Sequence, residues 1–437
     1  MSLPKVLILC QPFNNNFGGG ITLANLFSGW DKNKIAVVCT SHIFNNLNTE
    51  VCDTYYVLGS EEHKWYFPFN YMQRKVVSGE VKVKADPESK NPVATKPSLR
   101  SKVVNNYFYP FLEYIGLFHG ISKITMSDKL RKWIDEYNPD VIYAQAGVRE
   151  TLVFVKQAGA EIKKPFIFHV MDDWPSTISQ KGPFKHYWHK KIDQELRAVL
   201  DRSDILLSIS DAMAKEYKKR YGKDFITFHN PIELDFWKSH QRKTYKLGAT
   251  PTILYAGRIG TGIQATLETM AQALEIVNKE LETPLQFVLQ TNDRPAWIDK
   301  YKYVQHKALV PYSELPRVFA EADLLYLPYD FSQESIRYIK YSMPTKAPEY
   351  MVCGTPIIMF APAETALCVA AIEGNWAKVV TENSVAKLAV AIKEIASSEA
   401  ERQQIAQHAI TIAETKFDSV RVRNDFREVI ASLAKTN

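Results

Sequence analysis

Short, continuously apolar segments alternate along this chain with longer segments in which apolar residues recur every three or four positions. Strands that are apolar on both faces are typical of parallel sheets covered by helices, so the pattern predicts an α/β fold. The predicted strands of the first half are KVLILC, KIAVVCT, TYYVLG, DVIYAQ, PFIFHV, DILLSIS and FITFHN. Those of the second half are TILYAG, LQFVLQ, KYVQHK, DLLYLPY, TPIIMF and AKVVT. Helices are predicted over residues 127–137, 187–201, 263–280 and 419–435.

The alternation restarts after a polar segment, KSHQRKTYKLGATP, at residues 238–251. Two tandem Rossmann-like, doubly wound parallel-sheet domains that face a cleft are therefore predicted, over residues 1–238 and 250–418. In such sheets, ligands bind beyond the carboxyl ends of the strands. Candidate functional residues are therefore sought in the segments that directly follow predicted strands.

Composition places the chain among globular proteins, with 437 residues, 46% hydrophobic and 23% charged. No apolar run reaches the roughly 18–20 residues that a membrane span needs, and the N-terminus lacks the pattern of a signal peptide. The five cysteines form no CxxC pair. We interpret them as reduced packing residues and expect a cytoplasmic protein without a bound metal.

The positive charge is concentrated in one segment. Between residues 61 and 109, nine Lys or Arg stand against five Asp or Glu, which gives +4 of the formal net charge of +6. The aromatic runs WYFPF and YFYPFLEYIGLF bracket this segment, so residues 61–118 are predicted to be a basic, aromatic insertion. It is either a contact to a membrane surface or another anionic partner, or a solvated and partly disordered insertion. In the first case the protein would lie at the inner face of the membrane.

A run of three glycines follows the first predicted strand, in CQPFNNNFGGGITLANL. Gly18, Gly19 and Gly20 can adopt positive φ and allow backbone N–H groups to approach a phosphate at a helix start. They can equally form a loose turn. The segment is neither a Walker loop nor the dinucleotide motif G-x-G-x-x-G.

Two further strand ends carry polar side chains that suit a ligand. FHVMDDWPST holds His169, Asp172 and Asp173, which would contact sugar hydroxyls or developing charge. Alternatively, His169 is a core histidine and one aspartate caps the next turn. YAGRIGTG holds Arg258, whose planar fork of donors suits a diphosphate unless it is a surface arginine beside a turn.

The segment YSMPTKAPEYMVCGTPII places a carboxylate at a helix start. Proline is tolerated only in the first turn of a helix, so Pro344 and Pro348 predict that a helix begins here. Thr345 is the predicted N-cap, and Gly354 is predicted to end a helix over residues 346–353. Glu349 then lies near the positive end of the helix dipole. It either serves that dipole alone or accepts hydrogen bonds from two neighbouring hydroxyls of a ligand.

The order of ISDAMAKEYKKRYG, HNPIELDFW, TILYAGRIG and MPTKAPEYMVCGTPII resembles group 1 glycosyltransferases. These are nucleotide-sugar enzymes of glycosyltransferase family four with the GT-B fold. The resemblance covers nearly the whole chain, in landmarks rather than in continuous identity. It implies that Glu349 holds the donor ribose and that Arg258 holds the diphosphate. It also implies that residues 419–437 return to the first domain.

Further roles follow from the same resemblance. The glycine loop at Gly18, Gly19 and Gly20 would face the phosphates, and His169 would lie near the donor sugar, with Asp173 serving the sugar or the acceptor. The family often has a lysine where this chain has Ile263 and Gln264, and a second glutamate where it has Tyr341. We therefore expect another cation at the diphosphate, and the candidates are Lys346, Lys340 and Arg337.

The implied activity is that of a retaining, metal-independent hexosyltransferase that uses a nucleotide sugar as co-substrate and needs no cofactor. The acceptor would be a glycan or a lipid-linked molecule of cell-surface polysaccharide synthesis, with no nucleic-acid partner. Alternatives are a nucleotide-sugar 2-epimerase and a catalytically inactive nucleotide- or sugar-binding protein. A dinucleotide oxidoreductase is disfavoured because no G-x-G-x-x-G follows the first strand of either domain.

Overall fold

The computed structural model of the protein describes residues 3–15, 18–73, 75–83, 104–260 and 263–434. The chain divides into two compact units. Unit 1 comprises Met1–Phe228 and Arg423–Asn437, and unit 2 comprises His229–Val422. The division lies before residue 238, where the sequence predicts the first domain to end. The middle of the predicted insertion, residues 84–103, lies outside the described residues.

Unit 1 is built on one large sheet. The strands described in this unit are β1 Val6–Leu9, β2 Ile35–Thr40, β3 Thr54–Leu58, β4 His63–Trp65, β5 Gly79–Lys82, β6 Ser122–Ile124, β7 Val141–Ala144, β8 Phe166–Val170, β9 Ile205–Ser208 and β10 Ile226–Thr227. Eight of them form a sheet in the order β10-β9-β8-β7-β1-β2-β3-β5. All neighbours in it are parallel except β5, which pairs antiparallel with β3 at the edge.

Helices cover this sheet, and polar caps fix where several of them begin. They are α1 Gly18–Phe27, α2 Tyr109–Tyr114, α3 Asp128–Tyr137, α4 Arg149–Glu161, α5 Lys185–Arg202 and α6 Asp211–Tyr221. The Ser127 hydroxyl accepts the Leu130 backbone N–H at 3.1 Å and starts α3. Asn138, in the left-handed conformation with φ +47°, ends it.

The last helix, α15 Ser419–Ala434, contributes its residues from Arg423 onward to unit 1. There the Phe426 ring lies 5.1 Å from the Phe27 ring. The Arg423 side chain donates a hydrogen bond of 2.7 Å to the backbone carbonyl of Asn25. The end of the chain is therefore part of the packing of unit 1.

Unit 2 contains a second parallel sheet. Its strands are β11 Thr252–Ala256, β12 Gln286–Gln290, β13 Val304–Lys307, β14 Leu324–Pro328, β15 Ile357–Phe360 and β16 Lys378–Val380. The order β13-β12-β11-β14-β15-β16 is that of a doubly wound dinucleotide-type sheet, 3-2-1-4-5-6. The strand order reverses between β11 and β14, so ligands are expected beyond the carboxyl ends of these two strands.

Helices lie on both faces of the unit 2 sheet. They are α7 Leu234–Lys238, α8 Gln264–Val277, α9 Leu315–Glu321, α10 Gln333–Ile339, α11 Lys346–Val352, α12 Ala366–Gly374, α13 Val385–Ser397 and α14 Glu399–Lys416. Two apolar cores result. One includes Trp237, Tyr350 and Trp376, and the other packs α8 and α13 around residues such as Phe287 and Leu274.

Every strand that the sequence predicts is present, and the chain has the predicted class of two Rossmann-like parallel-sheet units. The five cysteines are buried and unpaired, as their interpretation as packing residues predicts. The sequence misses β4, β5 and β6, which are short and mostly not buried. Strands of that kind lack the continuous apolar pattern on which the prediction rests.

Candidate functional site

Helix α11 carries Glu349 in its first turn, as the sequence predicts. Gly354, with φ +77°, follows the helix in the left-handed conformation that favours glycine. The predicted cap is wrong, because Thr345 has helical backbone angles and its side chain makes no capping hydrogen bond. Ala347, Tyr350 and the residues after them are buried in the core. Because residues three apart lie on one side of a helix, Lys346 and Glu349 are neighbours on the other side.

Lys346 and Glu349 retain partial exposure to solvent, although protein atoms surround them densely. Burial lowers the pKa of Lys346 to about 8; the charge of Arg258 acts in the same direction and Glu349 opposes it. Burial raises the pKa of Glu349 to about 7, against the opposing effects of Lys346 and a hydroxyl from Tyr312. Both groups therefore change charge near neutral pH, which makes their ionisation sensitive to a bound ligand.

The Lys346 amine is held at the carboxyl end of β11. Its Nζ lies 4.2 Å from the centroid of the Tyr255 ring. Gly257, the first residue after β11, has φ +142°, and a Cβ added there would lie 2.4 Å from this Nζ. Gly257 is thus required by its backbone conformation, and its lack of a side chain leaves room for the lysine. Gly257 was not predicted from the sequence, although a glycine directly after a strand signals such an approach.

Arg258 follows Gly257 and is exposed. Its backbone carbonyl accepts the Tyr255 hydroxyl at 2.6 Å, which fixes the loop. Within the described part of the chain, no ion pair or hydrogen bond occupies its guanidinium. Its positive charge nevertheless acts on Lys346. Unit 2 thus brings two cations and one carboxylate together at the reversal of strand order.

An aromatic group completes this site. The Tyr312 hydroxyl donates a hydrogen bond of 3.3 Å to Glu349 Oε1. Its ring stacks on Phe236 at 5.4 Å and meets Trp237 edge-on at 6.0 Å. Burial and the carboxylate raise the pKa of the Tyr312 hydroxyl, so it remains a donor. Sequence reasoning misses Tyr312, because it lies 37 residues from Glu349 and no local pattern marks it.

In unit 1 the three glycines form the first turn of α1 rather than a loop before it. None of them has positive φ, so the conformational freedom of glycine is not used there. The small size of Gly20 serves close packing. A Cβ at Gly20 would lie 2.1 Å from the Asn14 amide nitrogen, and one at Gly19 would lie 3.5 Å from Gln11 Oε1. Gly18 has open space around it. The first N–H groups of a helix lack helical partners, so phosphate binding there stays a prediction.

His169 is the penultimate residue of β8 and is 1% exposed. Its Nδ1 is hydrogen-bonded to the Tyr143 hydroxyl, which also accepts the Gln145 amide at 3.3 Å. Burial lowers the pKa of His169 to about 3, with the Ser208 backbone acting in the opposite direction. The imidazole is therefore neutral at physiological pH and cannot supply positive charge. The alternative of a hydrogen-bonded core histidine matches this environment.

Asp173 is 2% exposed, and its carboxylate already has partners within unit 1. Arg220 donates to both oxygens, at 2.9 and 3.0 Å, and the Tyr217 hydroxyl donates at 2.9 Å. The side chain does not cap the turn at Trp174–Ser176. We therefore assign Asp173 a positioning role at the end of β8, whereas its contact with sugar or acceptor stays a prediction.

Replacing Asp173 by asparagine is expected to lower the free energy of unfolding by about 2 kcal/mol. The loss stays below that of a fully buried pair because the Arg220 side chain is 28% exposed and can rehydrate. Urea denaturation measures it. Asp193→Asn is the matched control, since its pair with Arg197 is exposed at 43% and 47% and contributes under about 1 kcal/mol. Equal effects of the two changes would contradict the assigned role.

Comparisons with known proteins agree with this architecture. A family profile described as "Glycosyl transferases group 1" matches residues 250–398. A second, "Glycosyltransferase Family 4", matches residues 88–236. Comparison with curated protein sequences gave no match.

Several solved structures are similar to the chain over nearly its whole length. A sucrose-phosphate synthase from Thermosynechococcus elongatus has TM-score 0.61 and 14% identity, covering 99% of each chain. Anabaena HepE in complex with UDP-glucose has TM-score 0.56 and 14% identity, covering 98% of this chain and 100% of the other. A UDP-forming trehalose-phosphate synthase from Burkholderia xenovorans has TM-score 0.57 and 12% identity, covering 99% and 100%.

The two parallel-sheet units define a protein of the GT-B fold class. The family profiles account for one part of each unit, in the order that the resemblance of the sequence predicts. The chain belongs to the group 1 glycosyltransferases, glycosyltransferase family four.

Proposed function

We propose that this glycosyltransferase retains configuration and moves a hexose from a nucleotide sugar to a glycan or lipid-linked acceptor of cell-surface polysaccharide synthesis. The observation that carries the proposal is the grouping of Glu349, Lys346 and Arg258 at the carboxyl end of β11. A carboxylate fits a vicinal diol such as that of ribose, and two cations fit a diphosphate. This assignment depends only on the ribose and the diphosphate of the donor, not on its base or its sugar.

Each group of the site has a distinct role in donor binding. The Glu349 carboxylate accepts hydrogen bonds from the ribose hydroxyls. The hydrogen bond that the Tyr312 hydroxyl donates to this carboxylate holds it in orientation. Lys346 and Arg258 bind the diphosphate. Gln264, which stands where the family often has a lysine, is neutral, so Lys346 supplies the second charge. The Tyr312 ring, 57% exposed and stacked on Phe236, offers a flat apolar surface beside the ribose.

UDP is the first candidate for the donor nucleotide. The similar HepE structures were solved with UDP and with UDP-glucose. The assignment of the base is a proposal for this chain, since that similarity is low in sequence identity.

The chemistry needs little beyond positioning. The bond from the sugar's anomeric carbon to the diphosphate oxygen breaks, and a bond from that carbon to an acceptor hydroxyl forms on the same face. The acceptor proton passes to the departing diphosphate. Lys346 and Arg258 stabilise the negative charge that develops on the leaving group, so we propose that no metal ion is required. Retention of activity in excess EDTA is the expected result.

Calorimetric titration with UDP, GDP, ADP, CMP and dTDP tests the proposal. One nucleotide is expected to bind, and Arg258→Ala is expected to weaken it about tenfold, because it removes one charge-assisted contact. Arg294→Ala is the control, since Arg294 is exposed in the same unit and pairs with Asp299. Absence of binding by all five nucleotides would refute the proposed donor site.

A product assay separates the transferase from the alternatives. Incubation of UDP-glucose with a panel of glycan and lipid-linked acceptors is expected to release UDP only when an acceptor is present. Conversion of the nucleotide sugar to its 2-epimer without an acceptor would instead identify an epimerase. Binding of the nucleotide without either reaction would identify an inactive binding protein.

Gly257→Ala is expected to weaken nucleotide binding about tenfold and to lower the free energy of unfolding by about 1–3 kcal/mol. The new Cβ would force Lys346 away from Tyr255 and would strain the backbone at φ +142°. Gly260→Ala is the matched control in the same loop, because a Cβ there meets nothing within 4 Å and φ is not positive. Calorimetry and urea denaturation measure the two effects. Identical behaviour of both variants would contradict the proposed geometry.

Affinity for UDP-glucose is expected to be highest between about pH 7 and pH 8. Above pH 8 the free Lys346, with pKa about 8, loses its proton and its attraction for the diphosphate. Below pH 7 the free Glu349, with pKa about 7, gains a proton and accepts ribose hydroxyls less well. A nucleotide sugar is preferred as probe because its diphosphate does not titrate in this range. A flat profile from pH 6 to pH 9 would contradict the assignment.

A further inference from the structure

Unit 1 exposes a group of aromatic side chains within its basic insertion. The aromatic face, as we call it, consists of Tyr66, Phe67, Tyr71, Tyr107, Phe111 and Tyr114, which are 51% to 81% exposed. Helix α2 buries Leu112 but turns Phe111 and Tyr114 to solvent. Large exposed apolar patches are rare on proteins that do not bind a partner through them.

Ring contacts join the segments that carry the aromatic face. Phe67 and Tyr71 lie 6.1 Å apart, and Phe69 lies 6.4 Å from Phe108 at the start of α2. Phe108 in turn contacts Tyr109 at 6.0 Å. Through Phe69 and Phe108, the two segments that carry the exposed rings therefore contact each other and form one aromatic layer.

The β4–β6 ribbon adds two cations beside this layer. Lys64 and Lys123 are directly opposite each other in the antiparallel register, and both are exposed. Like charges in that position destabilise a ribbon, and neither lysine forms an ion pair with a described residue. The hydrogen bond from the Tyr66 N–H to the Ile121 carbonyl, 2.8 Å, extends the ribbon to the aromatic face. Tyr66 directly follows β4, two residues after Lys64, and is exposed as Lys64 is.

Nearby acidic groups do not neutralise these lysines. Glu80 accepts the Trp133 indole N–H at 2.7 Å, and Glu61 lies 3.9 Å from Lys129. On the opposite side of the ribbon, His63 Nε2 lies 2.7 Å from Glu150 Oε1 and turns that side towards α4. The side with Lys64 and Lys123 therefore faces outward with its charge unpaired.

We propose that the aromatic face and the lysine pair dock the protein on an anionic lipid membrane. Amphipathic aromatic rings prefer the boundary between headgroups and acyl chains, and lysines beside them are attracted to anionic headgroups. The unpaired lysine charges favour this occupant over a second copy of the chain, which would oppose like charges. Among the described residues, no helix is long and apolar enough to cross a membrane. Docking is independent of the proposed donor site and would hold an acceptor lipid close to unit 1.

Co-sedimentation of the full chain with vesicles tests the inference. We expect binding to phosphatidylcholine vesicles that contain about 30% phosphatidylglycerol, and much weaker binding to phosphatidylcholine alone. The double change Lys64→Glu/Lys123→Glu is expected to weaken binding by at least about 25-fold, because each lysine near an anionic surface contributes a factor of about five and each new glutamate is repelled. Phe67→Ser/Tyr71→Ser is expected to weaken it at least tenfold.

Matched variants keep the test specific. Lys215→Glu/Lys219→Glu makes the same charge change at exposed positions of α6, and Ile372→Ser removes an apolar side chain, 55% exposed, from unit 2. Neither is expected to change vesicle binding. UDP binding, measured in parallel, is expected to stay unchanged in every variant. It reports both correct folding and the separate proposal for the donor site.

Three results would overturn the inference. One is sedimentation that does not depend on anionic lipid. The next is equal binding by the native chain and the Lys64/Lys123 variant. The last is a dimer in sedimentation equilibrium that Phe67→Ser/Tyr71→Ser dissociates, since the aromatic face would then bind a second copy. Loss of UDP binding with normal vesicle binding would refute the donor site and leave membrane docking intact.

Discussion

Glu349→Gln is expected to weaken UDP binding roughly 50-fold at pH 7.5 while leaving the fold intact. Glutamine has nearly the same shape, but it replaces two charge-assisted hydrogen bonds to the ribose with neutral ones, a loss of about 1–1.5 kcal/mol each. Isothermal calorimetry measures the change. Because Glu349 also raises the pKa of Lys346, the same substitution is expected to move the alkaline loss of binding to lower pH.

The control for this change is Glu334→Gln. Glu334 is also a glutamate in the first turn of a short helix of unit 2, α10, and it is exposed. If the carboxylate of Glu349 served only the helix dipole, the two variants would bind UDP alike. That outcome would refute the role of Glu349 as ribose ligand.

Lys346→Met is expected to lower kcat by about 10²–10³ with a smaller change in KM. The lysine charge is worth most when the diphosphate departs, since charge develops on it only in the transition state. The rate of UDP release from UDP-glucose in the presence of an acceptor measures the effect. Lys346 also lowers the pKa of Glu349, so the pKa of Glu349 is expected to be higher in the variant. As the pH falls, the variant should therefore begin to lose affinity for UDP-glucose at a higher pH than the native protein does.

Lys302→Met offers a matched control for Lys346→Met. Lys302 likewise lies over a tyrosine ring, that of Tyr303 at 5.2 Å, but it is exposed and outside the candidate site. Its loss is expected to leave kcat unchanged. If kcat of Lys346→Met also remained within twofold of the native value, another group would have to stabilise the leaving diphosphate.

Local chemistry explains why Glu349 and its helix were predictable. Pro344, Pro348 and Gly354 restrict the backbone wherever they occur, so they set the ends of α11 without reference to the rest of the chain. The spacing of three places Lys346 beside Glu349 on any helix. The prediction of Thr345 as N-cap was wrong because a capping hydrogen bond depends on the backbone angles of the residue, and those of Thr345 are helical.

Partners distant in sequence were not predictable. From the sequence, Asp173 was predicted to contact a ligand after a strand. In the structure, α6 places Arg220, which is 47 positions away in sequence, against the Asp173 carboxylate. Tyr312 reaches Glu349 across 37 positions. The glycines of α1 were correctly placed after β1, but the sequence did not show that the Asn14 side chain packs against Gly20 and leaves no room for a Cβ there.

The sequence by itself determined the class of fold, the strands of both sheets except β5, the short helix of Glu349 and the family. Each of these depends on apolar periodicity or on the backbone preferences of proline and glycine, which act over a few residues. Only the tertiary structure decided that Lys346 lies against Gly257, that His169 is a neutral buried side chain and that Lys64 stands opposite Lys123. Burial and through-space contact set these properties, and a short stretch of sequence determines neither of them.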